Sequence, residues 1–112
     1  MPESIYNVRS DAELMARIVH QLEGQIKSKF PGVEALAADC YISTTRLKVS
    51  FKKAFSTTPL VYFRKLQMIY AEEVLQTRQV SVKELAIELG FKKPNTFSVW
   101  FKRHTGKFPH EI

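Results

Sequence analysis

The sequence predicts an all-α protein in which seven helices form two helix-turn-helix subdomains joined by a long linker helix. Apolar residues recur at helical spacing, and no run alternates as a strand would. A segment also occurs twice, as Val33–Pro59 and Val82–Pro109, which indicates one supersecondary unit used twice. The matched positions of the two copies are Val33/Val82, Leu36/Leu85, Ala37/Ala86, Leu47/Phe97, Phe51/Phe101, Lys52/Lys102, Lys53/Arg103 and Pro59/Pro109.

Capping signals place the helix starts. Ser10, Ser43 and Ser81 can each accept a hydrogen bond from the first helical turn, and Ser10 and Ser81 are followed three residues later by glutamate. Pro59 and Pro94 suit a first turn. The predicted helices run from about Asp11 to Lys29, Val33 to Asp39, Thr44 to Phe55, Pro59 to Thr77, Val82 to Leu89 and Pro94 to His104, with a seventh beginning at Pro109.

The helices divide into three consecutive segments of one domain. Residues 1–57 hold the N-terminal helix and the first helix-turn-helix, 58–78 the linker helix, and 79–112 the second helix-turn-helix. A linker helix of this length is a rod of roughly 27 Å. Successive major grooves on one face of DNA recur about every 34 Å. We therefore expect one chain to present two reading helices near that separation.

Positive charge is concentrated on the repeats. The net charge is +6, and it divides into −2 over residues 1–40 (six acids, four bases) and +8 over residues 41–112 (five acids, thirteen bases). This excess suggests a polyanion as partner, with a solvated lysine-rich surface as the alternative. Cys40 is the single cysteine, which leaves no disulfide and no cysteine-based metal set, and its apolar neighbours indicate a buried thiol. No apolar run approaches the ~18 residues of a membrane span.

The third predicted helix has an apolar inward face and an opposite face that no local segment covers. That opposite face combines hydrogen-bond donors, one small apolar side chain and positive charge, as base edges and phosphates require. Its residues, at i, i+3, i+4 and i+7, are Thr45, Lys48, Val49 and Lys52, and Arg46 is a further candidate.

The sixth predicted helix repeats this arrangement with Asn95, Ser98, Val99 and Lys102 outward and Thr96 beside them. An asparagine can make a bidentate contact to adenine, and a valine can meet a thymine methyl group. Lys92 and Lys93 precede the helix, where they suit phosphates, as do backbone N–H groups at a helix start.

Each of these residues also has a purely structural interpretation. An exposed Thr, Asn or Lys can be ordinary surface, and Arg46 can form an ion pair along its own helix. Val49 and Val99 can instead pack against the first or fourth helix.

A wider pattern of residues extends over about Met15–Ile112. Its members are Leu36-Ala37, Ser43, Leu47 and Phe51-Lys52-Lys53 in the first copy, Ala71 and Val74-Leu75 in the linker helix, and Val80–Leu89, Gly90-Phe91, Phe97, Phe101-Lys102-Arg103, Gly106 and Pro109 in the second. The pattern resembles the DNA-binding domain of the AraC/XylS bacterial transcription regulators, and the second copy matches most closely.

The resemblance implies two helix-turn-helix subdomains that bind adjacent major grooves of double-stranded DNA through helices 44–55 and 94–104. By position, it places base reading on Thr45, Lys48, Val49, Asn95, Thr96 and Val99. It implies a cytoplasmic, nucleoid-associated bacterial transcription factor, with RNA polymerase as a partner by analogy. We expect a monomeric chain without cofactor, metal or membrane contact, and any dimerisation through a separate N-terminal domain.

Five positions depart from the family's pattern. Ser56 stands where glycine is usual in the first unit, and Tyr41 stands where the second unit has Gly90, so a positive φ at either would cost ~1 kcal/mol. Gln67 stands where the family often has arginine, which puts a contact from that position in doubt. Val49 and Val99 occur where arginine is found in other members, which favours shape or methyl contacts.

Two other classes of function compete with transcription regulation. An enzyme is disfavoured, because the histidines at 20, 104 and 110 are scattered and no catalytic cluster can be recognised. A helical protein-interaction module with an incidental basic surface is the alternative, and salt dependence separates it from DNA binding. Both a stand-alone regulator and a fragment of a longer one stay open, and the end soon after Pro109 favours a fragment.

Overall fold

The structure is a computed structural model that describes residues 10–112. These residues form six α-helices and a terminal 3-10 helix, Pro109–Glu111, which confirms the all-α fold class. The predicted seventh helix is therefore a single 3-10 turn. The α-helices are α1 (Asp11–Glu23), α2 (Val33–Asp39), α3 (Thr44–Phe55), α4 (Pro59–Thr77), α5 (Val82–Glu88) and α6 (Pro94–Thr105). Within residues 10–112, no helix combines the length and apolar character that crossing a membrane requires.

The chain folds as two compact units. The first unit contains residues 10–24 and Pro31–Pro59, and the second contains Gln25–Phe30 and Leu60–Ile112. The segment Gln25–Phe30, which we call the connector, thus belongs with the second unit although it lies between α1 and α2. The first nine residues of the predicted N-terminal segment, 1–57, lie outside the described residues.

In the first unit, α1 and α2 both pack against α3. The three helices contribute one apolar face each, because their buried residues follow the spacing of three and four that defines a helix face. The buried thiol of Cys40 confirms the prediction for that residue. The buried apolar residues are Leu14, Met15, Ile18, Leu22, Leu36, Ala37, Cys40, Leu47 and Phe51.

In the second unit, α4, α5 and α6 enclose an aromatic-rich core. Phe97 contacts Phe91 and Phe101 with ring centroids 5.6 and 5.8 Å apart, and Phe63 contacts Phe30 of the connector at 5.5 Å. Aromatic pairs at these separations add to the stabilisation from buried area. The core cluster comprises Met68, Ala71, Val74, Leu85, Ala86, Leu89, Phe91, Phe97 and Phe101.

The predicted capping residues have their expected roles. Ser10, Ser43 and Ser81 each accept a hydrogen bond from the backbone N–H group three residues later. Ser81 and Glu84 form a complete capping box, because the Glu84 carboxylate also accepts from the Ser81 N–H group. These local bonds explain why the starts of α1, α3 and α5 could be located from sequence.

The predicted end of the first helix is wrong. α1 ends at Glu23, and Gly24 closes it, six residues before the expected Lys29. The backbone carbonyls of Ile26 and Ser28 then accept hydrogen bonds from Gln67 Nε2, 2.8 and 3.3 Å away. A side chain about forty positions further along the chain therefore replaces the helical partners of this segment, which periodicity alone does not reveal.

Both copies of the repeat make the same turns with different residues. Tyr41 and Gly90 have φ of 57° and 82° at the turn of each helix-turn-helix, and Ser56 and Gly106 have φ of 59° and 84° after α3 and α6. Positive φ is therefore required at Tyr41 and Ser56, as it is at the glycines. An L-residue in this conformation costs roughly 1–2 kcal/mol.

Gly90 has a second reason to be glycine. A Cβ atom added to it would lie 2.4 Å from the backbone nitrogen of Lys29 and 2.7 Å from the carbonyl carbon of Ser28. The connector thus lies directly against the turn before α6. At Gly106, an added Cβ meets no atom within 4 Å.

Gly90→Ala should lower the free energy of unfolding by about 2–4 kcal/mol, because it combines positive-φ strain with displacement of the connector backbone. Gly106→Ala is the matched control and should lower it by only about 1 kcal/mol. Urea denaturation followed by circular dichroism measures both. Equal losses for the two variants would contradict the close approach of Gly90 to the connector.

Tyr41→Gly should raise the free energy of unfolding by roughly 0.5–1 kcal/mol, since relief of positive φ outweighs the greater freedom of glycine in the unfolded chain. Tyr41 is 92% exposed, so little packing is lost with its ring. Tyr41→Ala, which removes the ring and keeps the strain, should show no such gain in the same denaturation experiment. A gain shared by both variants would assign the effect to the ring.

Candidate nucleic-acid interface

The outward faces of α3 and α6 carry equivalent residues fifty positions apart. The predicted site residues on these helices are exposed, except Ser98, which is half-buried. The buried side of each helix fixes this orientation, since Leu47 and Phe51 of α3 and Phe97 and Phe101 of α6 have no solvent exposure. The equivalent pairs are Thr45/Asn95, Arg46/Thr96, Lys48/Ser98, Val49/Val99 and Lys52/Lys102.

An exposed valine lies at the centre of each outward face. Val49 is 63% exposed and Val99 is 64% exposed. The alternative in which these valines pack against the first or fourth helix is therefore wrong. Two branched apolar side chains at equivalent places, on faces that are otherwise polar, present methyl groups to whatever the two helices contact.

Arg46 is tied to α1 by an ion pair. Its Nη2 donates to Asp11 Oδ1 at 2.9 Å, and the Ser50 hydroxyl donates to Asp11 Oδ2 at 3.0 Å. The sequence suggested an ion pair along the same helix as an alternative; the observed partner lies instead on α1, 35 positions earlier. Asp11 also stands in the first turn of α1, where negative charge is favourable.

These contacts lower the pKa of the Asp11 carboxyl below its ordinary value. The hydrogen bond from Arg46 is the largest cause and the bond from Ser50 is the next, because both stabilise the charged carboxylate. Asp11 therefore positions Arg46 at the start of the outward face of α3 only while the carboxylate is ionised.

The two helices begin differently. Ser43 caps α3 through its side chain, whereas Lys93 precedes α6 without a side-chain hydrogen bond and Pro94 fills the first helical position. N–H groups in the first turn of a helix have no partners within that helix, and they attract anions. Lys92 and Lys93, both exposed, place two cations beside this start of α6.

The basic surface of the second unit extends beyond the predicted residues. Arg103 lies over the Trp100 ring, 4.9 Å from its centroid, and Arg64 of α4 lies over the Phe91 ring at 4.3 Å. Sequence reasoning did not select Arg64. The signal that could have drawn attention to it is that no acid lies three or four residues away on either side, where a helical arginine usually finds a partner.

Two units, each built on a helix-turn-helix with an exposed polar and basic face, define a helix-turn-helix protein of the kind that binds nucleic acid. The family model described as "Helix-turn-helix domain" matches residues 36–112. The chain therefore belongs to this family, and it is of the AraC type that the sequence pattern indicated.

Curated relatives carry the name of a transcription regulator. The HTH-type transcriptional activator RhaR of Escherichia coli (strain K12) is 26% identical over 102 residues, which are 91% of this chain and 36% of the relative. The same name recurs for relatives in Shigella flexneri serotype 5b. The chain thus spans only about a third of the length of the curated relatives it matches.

Solved structures show the same fold. The DNA-binding domain of AdpA, solved in complex with a target DNA, is 28% identical, with a TM-score of 0.79 over 87% of this chain and 86% of that chain. The C-terminal domain of AraT, a response regulator from Geobacillus stearothermophilus, is 20% identical, with a TM-score of 0.82 over 88% and 81% of the two chains. Together with the family model, these matches confirm the predicted fold, two helix-turn-helix subdomains within one chain.

The contribution of Asp11 to stability should depend on pH in a defined direction. Because the folded-state pKa is lowered, the stabilisation is complete above the unfolded-state pKa of about 3.9 and is lost as the pH falls through the folded-state value. Asp11→Asn should therefore lower the melting temperature at pH 7, and lower it progressively less as the pH falls below about 3.9. Glu34→Gln, which removes an exposed acid from outside this cluster, is the control. A loss for Asp11→Asn that stays the same as the pH falls would contradict the assignment.

Proposed function

We propose that α3 and α6 are the two reading helices of a sequence-specific transcription regulator, and that each enters a major groove of duplex DNA. The observation that carries the proposal is the equal exposure of Val49 and Val99 at equivalent places on two polar, basic faces. A methyl group beside donors and cations is the combination that major-groove edges and flanking phosphates require.

The two helices have different contacts available to them. Lys48 of α3 is a donor for the O6 and N7 acceptors of guanine, with Thr45 near it and Lys52 one turn further on for phosphate. Arg46 contributes positive charge to the same region, and its hydrogen bond to Asp11 fixes the orientation of its guanidinium. The first unit therefore favours a guanine-containing, strongly electrostatic contact.

In the second unit, Asn95 is the residue suited to a bidentate contact with adenine, and Val99 is suited to a thymine methyl group. Thr96 lies in the first turn, where base contacts of reading helices concentrate. Lys92 and Lys93 hold phosphates before the helix. Ser98 and Lys102 complete the face, although Ser98 is half-buried and has less reach.

Several further properties are part of the same proposal. The chain itself is proposed to be monomeric, and any dimerisation is proposed to occur through a separate N-terminal domain. RNA polymerase is proposed as a partner by family analogy. We also propose a cytoplasmic, nucleoid-associated location and no catalytic activity, since the family and fold are those of transcription regulators.

In vitro selection of random duplexes tests the reading of two grooves most directly. The selected site should contain two boxes about one helical turn apart, roughly 34 Å centre to centre. A single box would show that one unit reads bases and the other does not. No enrichment at all would overturn sequence-specific binding by this chain.

Asn95→Ala and Lys48→Ala should each weaken binding to the selected duplex by about 1–3 kcal/mol and relax sequence preference at one position. Gln76→Ala, which removes an exposed amide of α4, is the control for Asn95→Ala and should bind like the parent. Fluorescence anisotropy against the selected duplex and single-base variants measures both effects. A double variant that binds as tightly as the parent would make the base-reading assignment wrong.

Lys93→Ala should weaken binding to all duplexes alike, because it removes a phosphate contact rather than a base contact. The slope of log affinity against log salt concentration should fall by about 0.9 for the phosphate that is lost. Titrations between low and moderate salt measure this slope. If binding of the parent chain to DNA hardly changed with salt, the interaction-module alternative would be favoured instead.

A further inference from the structure

We propose that Arg64 of α4, with Lys29, Lys92 and Lys93, forms a binding site for one backbone phosphate of DNA, and that these four cations contact it from outside both reading helices. The inference deepens the proposed function, and it rests on that function for the identity of the ligand. It gives the linker helix a direct contact with DNA in addition to its role as a spacer.

Arg64 is a half-buried cation inside the second unit. Its guanidinium stacks on the Phe91 ring, 4.3 Å from the centroid, and its Nη1 donates to Gln67 Oε1 at 2.6 Å. Its Nε is buried and has no hydrogen-bond partner among residues 10–112. These contacts fix the plane of the guanidinium while leaving its charge without a counter-ion.

No acid neutralises this cation within the described residues of the chain. The three ion pairs found there involve Lys27, Arg46 and Arg78 instead. Burial lowers the pKa of the Arg64 guanidinium, yet an arginine remains charged at any physiological pH. A partly buried charge is unfavourable unless it is paired, so this position indicates an anion that comes from outside the chain.

Arg64 lies in the wall of a surface hollow that collects positive charge. The hollow is lined by three further cations, Lys29, Lys92 and Lys93, and by Thr96 in the first turn of α6, and its lining includes no carboxylate. Four cations from three separate segments around one concave surface create a positive potential that a single solvated lysine does not.

Hydrogen bonds and backbone packing fix the segments that line the hollow. Gln67 Nε2 donates to the carbonyls of Ile26 and Leu89, each at 2.8 Å, and so joins the connector and the end of α5 to α4. Gly90 lies against the backbone of Lys29. The backbones that carry Lys29, Arg64 and Lys92 are thereby held together before any ligand binds.

The hollow's chemistry fits a phosphate group. Arginine and lysine around a threonine hydroxyl, next to a helix start without a side-chain cap, supply the donors that phosphate oxygens accept. A DNA phosphodiester is the occupant we assign, because Thr96 belongs to the proposed reading face and leads directly from the hollow to the bases. Free phosphate has the same chemistry and is tested separately.

Arg64→Met should weaken binding to the selected duplex and to a random duplex by the same factor, about tenfold, and lower the salt slope by about 0.9. Lys65→Met removes the same charge from the neighbouring residue, which does not line the hollow, and it is the matched control. The inference is overturned if Arg64→Met changes the salt slope no more than Lys65→Met does. Loss of sequence preference, without a change of slope, would also overturn it.

A scan of methylphosphonate substitutions, each of which neutralises one phosphate of the selected duplex, locates the partner. One position should cost the parent chain several-fold more than it costs Arg64→Met, because the variant has already lost the arginine's share of that contact. If every position costs both proteins equally, Arg64 holds no phosphate. Failure of the parent chain to bind any selected duplex would instead refute the proposed function itself.

A measurement on the unsubstituted chain covers the case in which Arg64→Met fails to fold. The Arg64 side-chain NMR signal should shift when the selected duplex is added, and should not shift with a duplex neutralised at the contacted phosphate. If the signal still shifts with every neutralised duplex, the inference is overturned. If inorganic phosphate shifts the signal while no duplex does, the hollow binds phosphate but DNA is not its occupant.

Discussion

The buried amide of Gln67 is the interaction on which the second unit depends. Its nitrogen donates to the connector, 41 residues earlier, and to the end of α5, 22 residues later. Its oxygen accepts a hydrogen bond from Arg64, so one uncharged side chain joins all these segments. An apolar residue here would leave buried carbonyls unpaired, at a cost of about 1–3 kcal/mol each. The family resemblance placed arginine at this position. Glutamine supplies comparable bonds without a second buried charge beside Arg64.

The sequence predicted those features of the fold whose causes are local. The starts of α3 and α5 follow from a serine and the N–H group three residues later, and the outward faces follow from helical spacing. Contacts between distant segments could not be predicted in this way. The early end of α1, the Asp11–Arg46 pair and the position of Arg64 all depend on partners 22 or more residues apart, or on burial that periodicity does not encode.

The two copies share a backbone conformation but stabilise it with different residues. The second places glycine at both positive-φ positions, whereas the first tolerates Tyr41 and Ser56 there. The first caps α3 with the Ser43 side chain, whereas the second begins α6 without a side-chain cap and beside two lysines. One unit is thus strained in its turns and closed at its helix start, and the other is relaxed and open to anions.

Under the proposed function, the exposed valines also limit which bases the protein can distinguish. A valine has neither donor nor acceptor, so it detects a methyl group in the major groove without identifying the base that carries it. Thymine and 5-methylcytosine both present a methyl group at C5 of the ring. Under the proposed function, the second unit therefore responds to methylation of cytosines in its site. A neighbouring polar residue would prevent this response only if it distinguished the O4 acceptor of thymine from the N4 donor of cytosine. Epigenetic marking of a promoter would then alter its recognition without any change of sequence.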